Sequence, residues 1–438
     1  MHVCRRWRRI VLVSPRRLDL KLFCTYGTPV RKNLGCLPPF PIIVDYHTIA
    51  DFRSPATNHD DDIIAALEHP DRVRSIKLAV TSHLLGMVVS VMQESFPALN
   101  TLWLFSNDRI APAVPNVFLR GPAPRLLQFI LGGISFPALP TFLLSAPNLV
   151  DLQLSIPLSG YISPEMMVPS LASLSRLDKL CIWFKAPISR LRLISSLLTT
   201  PQVLLSLVTF NFRGPSEYLE DLLSRIDTPR LHSINITYFN QLDFQVPQLP
   251  RFIRRTEHLG FSQSRHLHGH IRISSLYVEL DFEEEGHDGS RLTLRIECKW
   301  LDWQVLHLAQ IFGQSPDMLT NVEHLSIYEN NLQGEPGWND STDDTDWLEL
   351  LRAFTAVTNL HGTKWFARHI AFALDGVDGE MITEVLPALV LLSLEDQPVS
   401  SVEKFLVVRQ LFGHPITFID SGRCGFIFAE VPSGLRRF

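Results

Sequence analysis

Apolar positions along the chain fall into a recurring phrase, Leu-x-x-Leu-x-Leu or its Val, Ile and Phe equivalents, often with a proline two residues ahead. It stands at Val73/Ile76/Leu78, Leu99/Leu102/Leu104, Leu126/Phe129/Leu131, Leu149/Leu152/Leu154, Leu177/Leu180/Ile182, Leu207/Phe210/Phe212 and Leu231/Ile234/Ile236. It returns at Val322/Leu325/Ile327 and Leu389/Leu392/Leu394. Steps between the first seven copies are 26, 27, 23, 28, 30 and 24 residues, room for a strand, a turn, a helix and a return. Residues two apart on a strand share a face, so the last two apolar positions of each phrase point into one core. The first caps that core from the turn leading in. Between phrases, apolar residues at three- and four-residue steps predict helices over His83–Ser95, Arg190–Thr199 and Ser216–Ile226. Late in the chain, Ser400 and Glu403 make a capping-box pattern ahead of a helix from Phe405 to Leu411. One strand and one helix cannot bury their own apolar faces, so such units must stack. Each added unit then buries several large side chains, at roughly 1.5–3 kcal/mol apiece.

The period fails between residues 240 and 320. There Ile273, Leu276, Val278, Leu280 and Phe282, then Leu292, Leu294, Ile296 and Cys298, predict two strands around the turn signal Asp288-Gly289. A β-hairpin inserted over 271–298 is the expectation, followed by a helix over Trp303–Phe312. Asp340, Asp343, Asp344 and Asp346 mark Gly334–Asp346 as an acidic surface loop.

Charge adds one asymmetry. The net charge of −5 over 438 residues is small, and nearly half the chain is apolar. Yet the start carries Arg5, Arg6, Arg8, Arg9, Arg16, Arg17, Lys21, Arg31 and Lys32 against Asp19 alone. Cys4, Cys24, Cys36, Cys181, Cys298 and Cys424 are widely scattered and form no C-x-x-C, which suits reduced thiols in the cytoplasm or nucleus. The apolar run Ile10–Val13 is too short for a secretion signal or a membrane span.

The repeated phrase resembles leucine-rich repeats. Their unit continues to an asparagine after the strand leucines, a place that Asn107 and Asn330 fill. The same place holds Ile134, Pro157, Lys185 and Phe239 in other copies, so the horseshoe is expected to be irregular. The opening Val3-Cys4-Arg5-Arg6-Trp7-Arg8-Arg9-Ile10, with Ser14-Pro15-Arg16-Arg17-Leu18, puts Val3, Trp7 and Ile10 on one helix face. It resembles the last helix of an F-box, the module that docks on a Skp-type adaptor of cullin–RING ubiquitin ligases. That resemblance implies adaptor contact or module core for Val3, Cys4, Trp7, Ile10 and Leu18. The family's first half would precede Val3, so the expected module is a truncated gene model or a relic.

Other constellations point to bland readings. Arg5-Arg6-Trp7-Arg8-Arg9 suits a solvated basic helix face better than a nucleic-acid arm. His266, His268 and His270 would share a strand face, but no further ligand is suitably spaced and Arg265 and Arg272 flank them, so no metal is expected. Gly260-Phe261-Ser262-Gln263-Ser264 lacks the closing glycine of a nucleophile elbow. The acidic stretches lack the twelve-residue calcium loop, and no glycine-rich phosphate loop occurs.

The predicted fold is therefore α/β: a leucine-rich-repeat-like solenoid over 61–438, with parallel strands inside the curve and helices outside. A connector at 21–60 and a short helical F-box remnant at 1–20 precede it. Residues between the inward leucines should face solvent on the strand side: Thr101, Trp103 and Phe105; Asp151, Gln153 and Ser155; Lys179, Cys181 and Trp183; Ser233, Asn235 and Thr237; His324, Ser326 and Tyr328. Trp103, Phe105 and Trp183 are the expected anchors for a protein partner, since exposed aromatics dominate interface energetics. The expected function is protein interaction, as a substrate-recognition subunit of an SCF-type ubiquitin ligase with a Skp-type adaptor, a cullin and an unknown protein substrate as partners. A repeat scaffold without that link is the alternative. No enzyme activity, cofactor, nucleic acid or membrane partner is expected.

Overall fold

A computed structural model describes residues 20–25, 27–46, 59–106, 108, 112–116, 118–119, 121–187, 200–241, 244–256, 259, 267–284, 291–298, 301–313, 319–329, 344–377 and 379–420. The F-box-like residues through Leu18, the helix expected at 190–199, the 260–264 segment, His266, Asn107, Asn330 and most of the acidic loop lie outside them. The chain divides into two compact units, Met1–Thr209 and Phe210–Phe438.

The first unit runs β1 (Leu22–Cys24), α1 (Val30–Cys36), β2 (Ile42–Tyr46), α2 (His59–Leu67), β3 (Val73–Val80), α3 (Ser82–Val91), β4 (Thr101–Ser106), β5 (Gln128–Gly132), α4 (Leu139–Leu144), β6 (Asp151–Ile156), α5 (Pro164–Ala172) and β7 (Lys179–Phe184). These strands lie side by side in chain order, each parallel to the next. The solenoid thus begins before residue 61. Ile42, Val44 and Tyr46 alternate inward and pair with β3, and β1 pairs with β2, where a connector was expected.

Every apolar residue of the repeated phrase is buried, at 5% exposure or less. The turn feeding each strand explains the preceding proline. The first leucine of the phrase donates its amide to the carbonyl three residues back: Leu99 to Phe96, Leu126 to Ala123, Leu149 to Ala146, at 3.1 Å each. Pro97, Pro124 and Pro147 then occupy the second position of a β-turn, where a fixed φ is favourable. In the second unit Leu231 closes the same turn onto Thr228 around Pro229, and Leu389 onto Leu386 around Pro387. One helix start carries a local side-chain cap. At α3, Thr81 Oγ1 accepts from the Leu84 amide at 3.4 Å, and Asp108 accepts from the amide and hydroxyl of Ser82. Those bonds hold the Asp108 carboxyl below its usual range.

The second unit runs β8 (Thr209–Gly214), α6 (Ser216–Arg225), β9 (Ser233–Tyr238), α7 (Gln248–Arg255), β10 (Leu267–Ile273), β11 (Tyr277–Glu284), β12 (Arg291–Glu297), α8 (Leu301–Gly313), β13 (Val322–Glu329), α9 (Asp344–Arg352), β14 (Asn359–Gly362), α10 (Lys364–Asp375), β15 (Leu391–Leu394), α11 (Glu403–Leu411) and β16 (Thr417–Asp420). The strand order is β8-β9-β12-β11-β10-β13-β14-β15-β16. Here β11 is antiparallel to both its neighbours, whereas β9–β12, β10–β13 and the later pairs are parallel.

The expected hairpin is present, with β11 and β12 paired antiparallel, but a third strand, β10, joins it on the other edge of β11. The run from Ile273 to Phe282, expected as one strand, breaks at Ser274. Its hydroxyl oxygen accepts from the amides of Leu276 and Tyr277, and its amide donates to the Tyr277 carbonyl at 2.9 Å, closing a tight turn. The expected capping box at Ser400 and Glu403 does not form either. Val402 is the N-cap of α11, and Ser400 sits in a 3₁₀ turn over Val399–Ser401. Glu220 of α6 serves as a cap instead: it accepts from the amides of Gln248 and Leu249 at the start of α7, at 2.5 and 3.1 Å. Burial pushes its carboxyl up to about 7, against the pull of those two amides and Arg251. One repeat escapes the leucine pattern. In β14 the inward position after Leu360 is Gly362, where a Cβ would meet Ile370 of α10 at 2.9 Å and Leu394 of β15 at 3.1 Å. Both units are thus built as leucine-rich-repeat-like α/β solenoid.

Candidate functional site

Strands such as β4, β6, β8 and β9 bury alternate residues, and the residues between them line the other face of the sheet. On the first unit, register places Lys77, Trp103, Ile130, Gln153 and Cys181 in one row, and Ala79, Phe105, Gly132, Ser155 and Trp183 in the next. Trp103 and Phe105 are half-buried, and Trp183 is 40% exposed. Cys181 departs from the expectation. It is 1% exposed, a small side chain sunk among its neighbours rather than a solvent-facing one.

The Phe105 ring does not stand upright. It leans across Gly132, where a Cβ would lie 2.0 Å from a ring carbon. Lys185, just past β7, extends back over the same corner. Its Nζ lies 5.5 Å from the Phe105 ring centroid and 3.5 Å from the Ser106 carbonyl oxygen. A Cβ at Gly133, whose φ is +69°, would lie 2.3 Å from that nitrogen. The consecutive glycines are what admit ring and ammonium together. Sequence reasoning named Phe105 and Trp183 but passed over Lys185; the Gly132-Gly133 pair at a strand end was the available signal.

The face of the second unit is made of paired charges. Arg213 of β8 grips Glu297 of β12 with two bonds, at 2.9 and 3.0 Å. Arg272 of β10 donates to Glu279 at 2.6 Å, to Asp281 at 3.2 Å and to the Tyr328 hydroxyl at 2.6 Å. Burial alone would lower its pKa, but the bonds to Glu279 and Tyr328 outweigh burial and hold it above the usual value. Asp281 is fully buried although it sits on this face, and Thr293 of β12 also donates to it at 2.9 Å. Arg295 approaches Glu279 at 3.9 Å and lies over the Tyr277 ring at 3.3 Å. The network was not legible because it needs the antiparallel register of β10, β11 and β12.

Histidines continue the row. His268 stacks on His324 with centroids 4.5 Å apart, and Asn359 Nδ2 lies 2.8 Å from His324 Nδ1. Burial lowers the pKa of His270 and of His361. Among the described residues, no group of three or more His, Cys, Asp and Glu is placed to hold a metal ion. A groove along α3, lined by Leu85, Val89, Gln93 and Pro112 among others, has no charged lining residue. No helix among the described residues is long and apolar enough to cross a membrane.

No family model matches the chain, and no curated protein matches it. Among solved structures, the leucine-rich repeat-containing protein LegL7 from Legionella pneumophila is 13% identical over 82% of this chain and 95% of its own, with a TM-score of 0.26.

Proposed function

We propose that the chain is a protein-interaction module whose docking surface is the open sheet face of the first unit. The observation carrying this reading is the alternating burial of parallel strands. Parallel sheets ordinarily have both faces covered, whereas here β4 and β6 bury only every second residue and β7 leaves Trp183 exposed. Trp103, Phe105 and Trp183 are the anchors on this reading, which assigns no enzyme activity. The finer role we propose is substrate recognition within an SCF-type ubiquitin ligase. It is supported by the F-box-like Val3, Cys4, Trp7, Ile10 and Leu18, which would contact a Skp-type adaptor and through it a cullin.

Purified full-length chain mixed with a recombinant Skp-type adaptor tests the finer role. A stable complex lost on Trp7→Ala supports a ligase subunit, and no complex leaves a scaffold without that link. For the anchors, Trp183→Ala should abolish partner capture while leaving the melting temperature nearly unchanged. A large stability loss would make Trp183 a packing residue and remove it from the interface.

A further inference from the structure

The two sheet faces treat their charges differently. On the second unit's face the three arginines meet acids of the same face: Arg213 with Glu297, Arg272 with Glu279 and Asp281, Arg295 with Glu279. On the first unit's face Lys185 lacks such a partner. Lys185 is held by a carbonyl and a ring and pairs with no described carboxylate. Lys77, in the row of Trp103, stands opposite Asp45 of β2, and Lys179 stands opposite Asp151 of β6. The acids of this face stand by those other lysines, and Asp151 also accepts from Gln153 at 3.0 and 3.1 Å, in the row furthest from Lys185.

Between Phe105 and Trp183 the row holds only Gly132 and Ser155. Phe105 closes over the glycine, so the floor at Ser155 is walled by an aromatic ring on each side, with the Lys185 ammonium above one wall. Such a place suits a large apolar side chain beside a carboxylate. The ring would contact the apolar group, and Lys185 would exchange a weak carbonyl contact for a charge-assisted bond.

We infer that the first unit's sheet face takes an acidic peptide segment of a partner protein, with an aromatic or large aliphatic side chain between Phe105 and Trp183 and a neighbouring carboxylate on Lys185. This rests on the docking reading above and adds the chemistry of what docks. A basic or nucleic-acid partner does not fit: the first would face Lys185, and the second would need a continuous run of cations.

Panning a random peptide library against the full-length chain, with Trp183→Ala as the parallel target, tests it. The expected result is enrichment, on the unaltered chain only, of net-negative peptides carrying an aromatic or large aliphatic residue. A synthetic copy of an enriched peptide should lose affinity about tenfold on Lys185→Glu, the cost of one charge-assisted contact. Exchanging its acids for lysines should restore binding to that variant. Neutral or basic peptides enriched on the unaltered chain only would overturn the acidic inference while leaving the docking surface standing. Equal enrichment on both targets, or none, would overturn both.

Discussion

Residues on the two faces show how position, not type, sets the worth of a charge. Arg213 and Glu297 are 41% and 34% exposed, so their pair contributes little; Arg213→Ala should cost about 1 kcal/mol or less. Arg272 is different because Asp281 beneath it is fully buried. Removing the guanidinium takes the cationic donor away from that buried carboxylate. Arg272→Ala should cost about 3–5 kcal/mol, read from the shift in chemical-denaturation midpoint. Equal small losses at both positions would mean that Asp281 is not charged in the folded chain. Thiol chemistry follows the same logic. Burial, helped by Asp62, pushes Cys24 up to about 12, so it is inert, whereas Cys36 is exposed.

At the level of elements, α6 and α7 are joined by a titrating cap. Glu220 has a folded pKa of about 7 against an ordinary 4.5. The folded chain therefore holds this proton to higher pH than the unfolded chain does. The resulting stabilisation is complete below about 4.5 and is lost as pH rises through about 7. Glu220→Gln removes the titration. The melting temperature of the unaltered chain, taken relative to that variant, should fall between pH 4.5 and 7; a difference constant with pH would place the proton elsewhere. Elements also divide what the sequence revealed from what it hid. Strands built on three apolar anchors were legible, because each anchor is buried and its spacing is fixed by a proline-assisted turn. β14 was hidden because its last anchor is Gly362, whose space Ile370 and Leu394 fill. β10 and β11 merged into one because the break at Ser274 is made by a serine hydroxyl, a weaker local signal than glycine or proline. Of the candidate site, the outward placement of Trp103, Phe105 and Trp183 was readable from strand alternation. The Lys185 contact was not, since it joins residues 79 positions apart, with β5 and β6 lying between β4 and β7.

For the molecule as a whole, stacked repeats contact mainly their sequence neighbours, so stability is a sum of local terms more than one shared core. The crowding at Gly362 offers a probe. Gly362→Leu should overpack β14 against α10 and β15 and cost about 1–3 kcal/mol. By hydrogen exchange the loss should appear first at amides of β14 and β15 and leave β4, β5 and β6 of the first unit unchanged. Uniform loss of protection along the chain would make the two units a single cooperative body.

Strict alternation along β4, β6 and β9 also separates two kinds of evolutionary freedom. Inward positions are tied to volume and shape, while each outward neighbour, one residue away, answers to little beyond solubility and its row-mates. Specificity can therefore drift by single exchanges at outward sites without endangering the scaffold, and related chains could keep this framework while binding unrelated targets.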